Sequence, residues 1–293
     1  MPEAQSLANV LSVFDPRQPL RGQELQDFYV DRPSNPSRRI ALHLKQVLGQ
    51  NRPCKLLFTG HGGSGKSTEL NLLATQLKDE FFIVRLDVQQ DLSLPDLHYT
   101  DILVGLATSL FRRATDEDVL KKAPAQIVAE LWEDVAGFVE KTLLEPRVPG
   151  ARTQGELSAR VHLLVAEFGA SFRTDASTRE EVRKRVEGRL AEVVEKVDLV
   201  ADQVQAKYRR PVLFFIIENI DKADLETAHR LFWGYTSSLT AFRPSAIYTF
   251  PIGLRYAGEF TQIRDCFVQC FVLPNVMVRD RQGNDTKGME AHV

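Results

Sequence analysis

The chain has 293 residues, 43% hydrophobic and 26% charged, which supports a sizeable packed core and excludes a disordered tail. A net charge of −2 excludes a global basic field that would draw the protein onto nucleic acid, although a local patch is still allowed. Three cysteines, an odd number, argue against a disulfide framework and suit a reducing cytosol. The longest apolar run, Val212 to Ile217, is too short to span a bilayer. Met1 to Asn9 lacks the basic start and apolar core of a signal peptide, so the expected compartment is the cytoplasm.

Residues 1–52 read as a leader. Gln23 to Val30 is a short apolar and aromatic stretch ending in Phe28, Tyr29 and Val30. Asp31 to Ser37 holds two prolines and reads as a turn. Arg38 to Leu48 sets Ile40, Leu44, Val47 and Leu48 at helical spacing, with Ala41 on the same face.

Lys55 to Thr68, KLLFTGHGGSGKST, then reads as a buried strand, a glycine-rich turn and the start of a helix. Gly60, Gly65, Lys66 and Ser67 stand at the spacing G-x-x-x-x-G-K-[ST], the phosphate-binding P-loop. Glycines let the backbone wrap closely with its N–H groups pointing inward, and the new helix adds its positive end. The candidate nucleotide-binding loop is therefore Gly60, His61, Gly62, Gly63, Ser64, Gly65, Lys66, Ser67 and Thr68. Lys66 is expected to reach the β- and γ-phosphates and the Ser67 hydroxyl to ligate Mg²⁺.

A helix over Ser67 to Lys78 follows, then a strand over Phe81 to Val88. A helix begins near Ser93 to Asp96 and presents Tyr99, Ile102, Leu103, Leu106, Leu110 and Phe111. Strand and helix in alternation predict an α/β fold with a parallel sheet and right-handed crossovers. Residues 115–210 form a mainly helical insertion inside a core of 53–278, longer than a usual crossover. Within it, Pro124 to Leu144 reads as a helix and Pro146 to Gly155 as a loop. Leu157 to Phe172 fits two periods, with strand or irregular structure expected. Ser177 to Tyr208 reads as one helix with a Ser177/Glu180 capping box. Its stripe of Val182, Val186, Leu190, Val193, Val197, Val200 and Val204 is close to a coiled-coil seam. That stripe suits either a partner helix or the chain's own core.

Pro211 to Asp221 returns to a buried strand with acids at its carboxyl end, where open α/β sheets place ligands. Ala223 to Trp233 reads as a helix, Ser245 to Phe250 as a fourth strand, Tyr256 to Asp265 as a helix or turn, and Cys266 to Leu273 as a fifth strand. Residues 279–293 form a polar tail.

Hydrolysis of a bound nucleotide needs an acid beside the metal and a group that orients water. Glu218 is the candidate metal-side acid, together with Ser67. Asn219 can orient a water but cannot accept its proton, which leaves Asp221 as a base or implies slow turnover. Thr249 is a candidate sensor of the γ-phosphate, or an ordinary strand threonine. Arg264 is a candidate for reaching a neighbouring subunit's site, or a surface arginine.

GHGGSGKSTEL, FFIIENIDK, IYTFP and an arginine before the last strand together resemble P-loop ATPases of the AAA+ and STAND group, over roughly Lys55 to Leu273. The resemblance implies a P-loop NTPase sheet of order 5-1-4-3-2, ATP and Mg²⁺ as ligands, and nucleotide state used as a switch. It implies that Glu218 takes the Walker B position and Thr249 that of sensor 1. In many P-loop ATPases a leader lies over the adenine; Phe28 to Arg32 would do so here, unless that segment only covers the sheet edge. Glu218-Asn219 departs from the usual acidic pair, and no helical lid with a second sensor arginine follows Val276, so a longer natural protein is expected. Three functions follow: a regulator in bacterial defence or signalling, a DNA-associated remodelling ATPase using Arg183, Lys184, Arg185 and Arg189, or a scaffold with little hydrolysis. Residues 177–208 could meet a protein partner, and a homo-oligomer is compatible. No guanine-reading NKxD-like motif appears.

Overall fold

A computed structural model describes residues 18–48 (Pro33 aside), 53–116, 175–208 and 212–275, with a few more between 133 and 170. Five strands form one sheet: β1 (Lys55–Gly60), β2 (Phe81–Asp87), β3 (Val212–Glu218), β4 (Ser245–Phe250) and β5 (Gln269–Leu273). Every pairing is parallel. The order is β2-β3-β4-β1-β5, which from the other edge reads 5-1-4-3-2. A parallel sheet covered on both faces must be apolar along its central strands, and β1 and β4 are buried end to end.

Side chains alternate between the two faces. Leu56, Phe58, Ile83, Phe214, Ile216 and Ile247 pack in one layer with Ile40 and Leu44 of α2 (Pro36–Leu48) and Leu70, Leu73 and Leu77 of α3 (Lys66–Leu77). The leader also carries a short helix, α1 (Gln23–Phe28), with Leu25 buried. Leu86, Phe215, Ile217 and Tyr248 face the other layer, with α4 (Tyr99–Asp116) and the insertion helices.

The expected single helix over Ser177–Tyr208 is two helices, α5 (Ala176–Glu187) and α6 (Leu190–Tyr208), which part at Gly188 and Arg189. Gly188 is the poorest helix former in the run. Asp175, not a Ser177/Glu180 box, caps α5: its carboxylate accepts from the Thr178 N–H at 3.0 Å. Val182, Val186, Val193, Val197, Val200 and Val204 are each at most 2% exposed, in one core with α4. The stripe faces the chain's own core, so it is not open to a partner helix.

The basic residues of this region are matched by acids. Arg183, buried, donates through Nε to Asp101 Oδ1 at 2.8 Å and through Nη1 to Asp96 Oδ2 at 3.0 Å. Lys184 pairs with Glu180, Arg185 with Glu181 and Arg189 with Glu192. In the 157–172 stretch, the described residues are helical rather than extended. Leu164, which fits the helical period, is buried, and Leu163, which fits the alternating one, is exposed. The 124–144 helix lies outside the described residues except for Glu133 and Gly137, which are helical; the 146–155 loop and the tail lie outside them altogether. The expected helix Ala223–Trp233 is one α-turn, Leu225–His229, running into a π-turn, Arg230–Gly234, where Phe232 packs edge-on against Phe250. No helix among the described residues is long and apolar enough to cross a membrane.

Two predictions follow from buried charge. Arg183→Met leaves Asp101, 1% exposed, without its cation, and should lower the urea-unfolding free energy by about 3 kcal/mol; a change below about 1 kcal/mol would mean the pair contributes little. At the start of β1, Lys55 Nζ donates to Phe242 O at 2.6 Å and lies 4.2 Å from the centre of the Phe242 ring. Burial pushes its ammonium from 10.5 down to about 7, with Asp198 acting the other way. Between those values the unfolded chain binds more protons than the folded one, so this lysine makes stability rise as pH goes from about 7 to 10.5 and adds no pH dependence below about 7. Urea titrations at pH 6.5 and 9.5 should show that rise reduced in Lys55→Met; an identical rise in both proteins would contradict it.

Candidate functional site

The loop Gly60–Thr68 leaves the carboxyl end of β1 and enters α3. Gly63 and Gly65 have φ of 75° and 90°, the left-handed region that favours glycine. A Cβ on Gly60 would meet the Leu273 carbonyl at 2.9 Å and Ser64 Oγ at 3.0 Å, so the loop closes tightly against the end of β5. His61, Gly62 and Gly63 are exposed at its rim, and Ser67 and Thr68 are half-buried. The opening amides of the 12-residue α3 have no partners within the helix, and they give this end a positive character.

Lys66 is 8% exposed. Its ammonium donates to the carbonyls of Gly60 and His61, each at 2.9 Å, and pairs with Asp221 Oδ2 at 3.0 Å. Such a buried charge is tolerated only because acceptors surround it. Ser64 Oγ in the loop and Thr59 Oγ1 at the end of β1 are buried without a hydrogen-bond partner among the described residues.

Glu218 ends β3 on the α3 face of the sheet, the face to which Phe214 and Ile216 also point. It is held from β2: Arg85 donates to Glu218 Oε1 through Nε at 3.0 Å and also through Nη2. Asn219 is left-handed, with φ of 67°, and its amide donates to Asp87 Oδ1 at 2.7 Å. The β2–β3 register sets Asp87 opposite Glu218. Together with Arg85 and Asp87, Glu218 lines a groove of about 490 Å³ between α1 and α3.

The sheet thus brings Asp221 to Lys66, and it joins Thr249 to the same acidic turn, because Thr249 Oγ1 accepts from the Ile220 N–H at 3.0 Å. Arg264 stands apart. Its side chain is 54% exposed, and its ion-pair partner is its neighbour Asp265, at 3.6 Å. Sequence reasoning missed Arg85 and Asp87, although two charges at the end of the otherwise apolar FFIVRLD were a visible signal. It also missed the leader's grip on the loop, in which Arg32 Nη2 donates to Ser64 O at 2.7 Å. Among the described residues, no group of three or more His, Cys, Asp and Glu side chains is arranged to hold a metal ion unaided. No family model, curated protein or solved structure matches this chain.

Thr249 and Ile220 are both buried, so Thr249→Val strands a backbone N–H. The expected loss is about 1–3 kcal/mol of unfolding free energy, with Thr249→Ser close to wild type. Equal stability of the valine and serine variants would show that the hydroxyl does not support the turn.

Proposed function

We propose that the chain binds ATP with Mg²⁺ at Gly60–Thr68 and uses the bound state as a switch, with slow hydrolysis. The observation that carries this reading is the surroundings of Lys66. A cation sits inside a glycine loop at a helix N-terminus, with one carboxylate from the turn after β3 beside it. In the proposed bound state the ammonium exchanges Asp221 for phosphate oxygens, and the loop amides and the start of α3 complete the anion site. The unpartnered Ser64 hydroxyl fits a site that expects a further polar group.

Mg²⁺ brought in with the nucleotide would neutralise phosphate charge. It ordinarily takes one or two protein oxygens and fills its remaining positions with phosphate and water. Ser67 can supply a hydroxyl oxygen, and Glu218 or Asp221 a carboxylate oxygen. Slow hydrolysis, or none, is favoured by Asn219, whose amide is committed to Asp87 rather than to the loop. Asp221 is then the carboxylate available to take a proton from water. A regulator is favoured over a DNA remodeller, because Arg183, Lys184, Arg185 and Arg189 each carry an acidic partner.

Calorimetric titration of the chain with Mg–ATP tests the site. Lys66→Ala should weaken binding by more than about tenfold, or about 1.4 kcal/mol. Undiminished affinity in a folded Lys66→Ala protein would reject the assignment.

A further inference from the structure

We infer that Arg32, with Glu69 and Tyr29, positions the phosphate loop, so that the leader is a working part of the nucleotide site and not only its cover. The inference rests on the nucleotide reading above.

Glu69 lies in the first turn of α3 and is 1% exposed. A carboxylate so placed needs partners; among the described residues those of Oε1 come from the leader, and Oε2 is buried without one. The Tyr29 hydroxyl donates to Glu69 Oε1 at 3.0 Å, and Arg32 Nε lies 3.3 Å from the same oxygen. Burial, and after it the charge of Glu69, raise the Tyr29 phenol above its usual range, so it remains a donor.

The rest of the guanidinium is directed at the loop and the last strand. Nη2 donates to the Ser64 carbonyl at 2.7 Å, and Nη1 to the Pro274 carbonyl, just past β5, at 3.3 Å. One rigid planar group therefore ties together the leader, the start of α3, the loop and the end of β5. A peptide unit is planar and trans, so its C=O and N–H point in opposite directions. Holding the Ser64 carbonyl thus also aims the Gly65 N–H, away from Arg32. The fit is close: a Cβ on Gly65 would stand 2.7 Å from Arg32 Nη2. A second strap lies alongside. The Leu20 N–H donates to Thr68 Oγ1 at 3.3 Å, and the Asn71 side-chain amide donates to Leu20 O at 2.7 Å. Loop geometry and leader docking are then one coupled equilibrium, and coupling works in both directions.

The test is Mg–ATP titration of wild type, Arg32→Lys, Glu69→Gln and Lys66→Ala, with hydrogen exchange followed over residues 18–32 and 60–68. Lysine keeps the charge and loses the fork, so Arg32→Lys should weaken binding by about tenfold. It should also speed exchange in 60–68 while the thermal midpoint stays near wild type. Glu69→Gln should act in the same direction. ATP should slow exchange over 18–32 in wild type and leave it unchanged in Lys66→Ala. Wild-type affinity in Arg32→Lys beside lost affinity in Lys66→Ala would overturn the inference and leave the nucleotide reading standing. Wild-type affinity in Lys66→Ala would remove the nucleotide reading and the inference with it. An unresponsive leader in wild type would also overturn the inference, whatever the affinities.

Discussion

A buried ammonium must be surrounded by acceptors, and Lys66 imposes that condition on the chain around it. Two of its acceptors are carbonyls of the loop itself, which requires the backbone to fold back over its own strand; Gly60 permits the closure where any side chain would strike Leu273 and Ser64. The third is a carboxylate from the turn after β3. The sheet separates β1 from β3 by one strand, β4, and the strand between them contributes as well, since Thr249 holds the backbone of the turn that bears Asp221.

The edge strand β2 and the leader support this centre from two sides. Arg85 and Asp87 engage Glu218 and Asn219 in neighbouring pairs, so the acidic turn is fixed by side chains from the next strand as well as by its own backbone. The insertion is joined to the same body through the valines of α5 and α6 and through Arg183, which reaches Asp96 just before α4 and Asp101 in its first turn. On the proposed reading, a change at the loop has a short route to the insertion, from the turn after β3 through β2 to α4. Each joint on that route is an ion pair, a hydrogen bond or a packed side chain.

Much of this was legible in the residues because it is local. The apolar runs of the five strands, the leucines of α3 and the glycine spacing of the loop are short-range patterns set by periodicity and backbone geometry. What was not legible depends on separation in sequence or on one unusual dihedral. The residue types suggested Glu218 for the metal and Asp221 for the base, but not which of the two would meet Lys66. The left-handed φ of Asn219 attends their separation in the structure, with Glu218 on Arg85 and Asp221 on Lys66. Arg183 reads as part of a basic cluster until its partners, more than eighty positions away, are known. Asp175 displaced a plausible capping box because a carboxylate two residues upstream starts the helix earlier, accepting from the Thr178 N–H and leaving Ser177 inside the first turn, where its hydroxyl donates to Asp175. Arg85 and Asp87 carried a local signal, two charges in an apolar strand, whose meaning depended on the register with β3.

The most direct measurement is an experimental structure of the chain with Mg²⁺ and a slowly hydrolysed ATP analogue. The account predicts triphosphate inside Gly60–Thr68, Lys66 Nζ moved from Asp221 to phosphate oxygen, and the metal between Ser67 and an acid of the Glu218–Asp221 turn. A nucleotide bound elsewhere, or a Lys66 still paired with Asp221 beside an empty loop at saturating ligand, would contradict it.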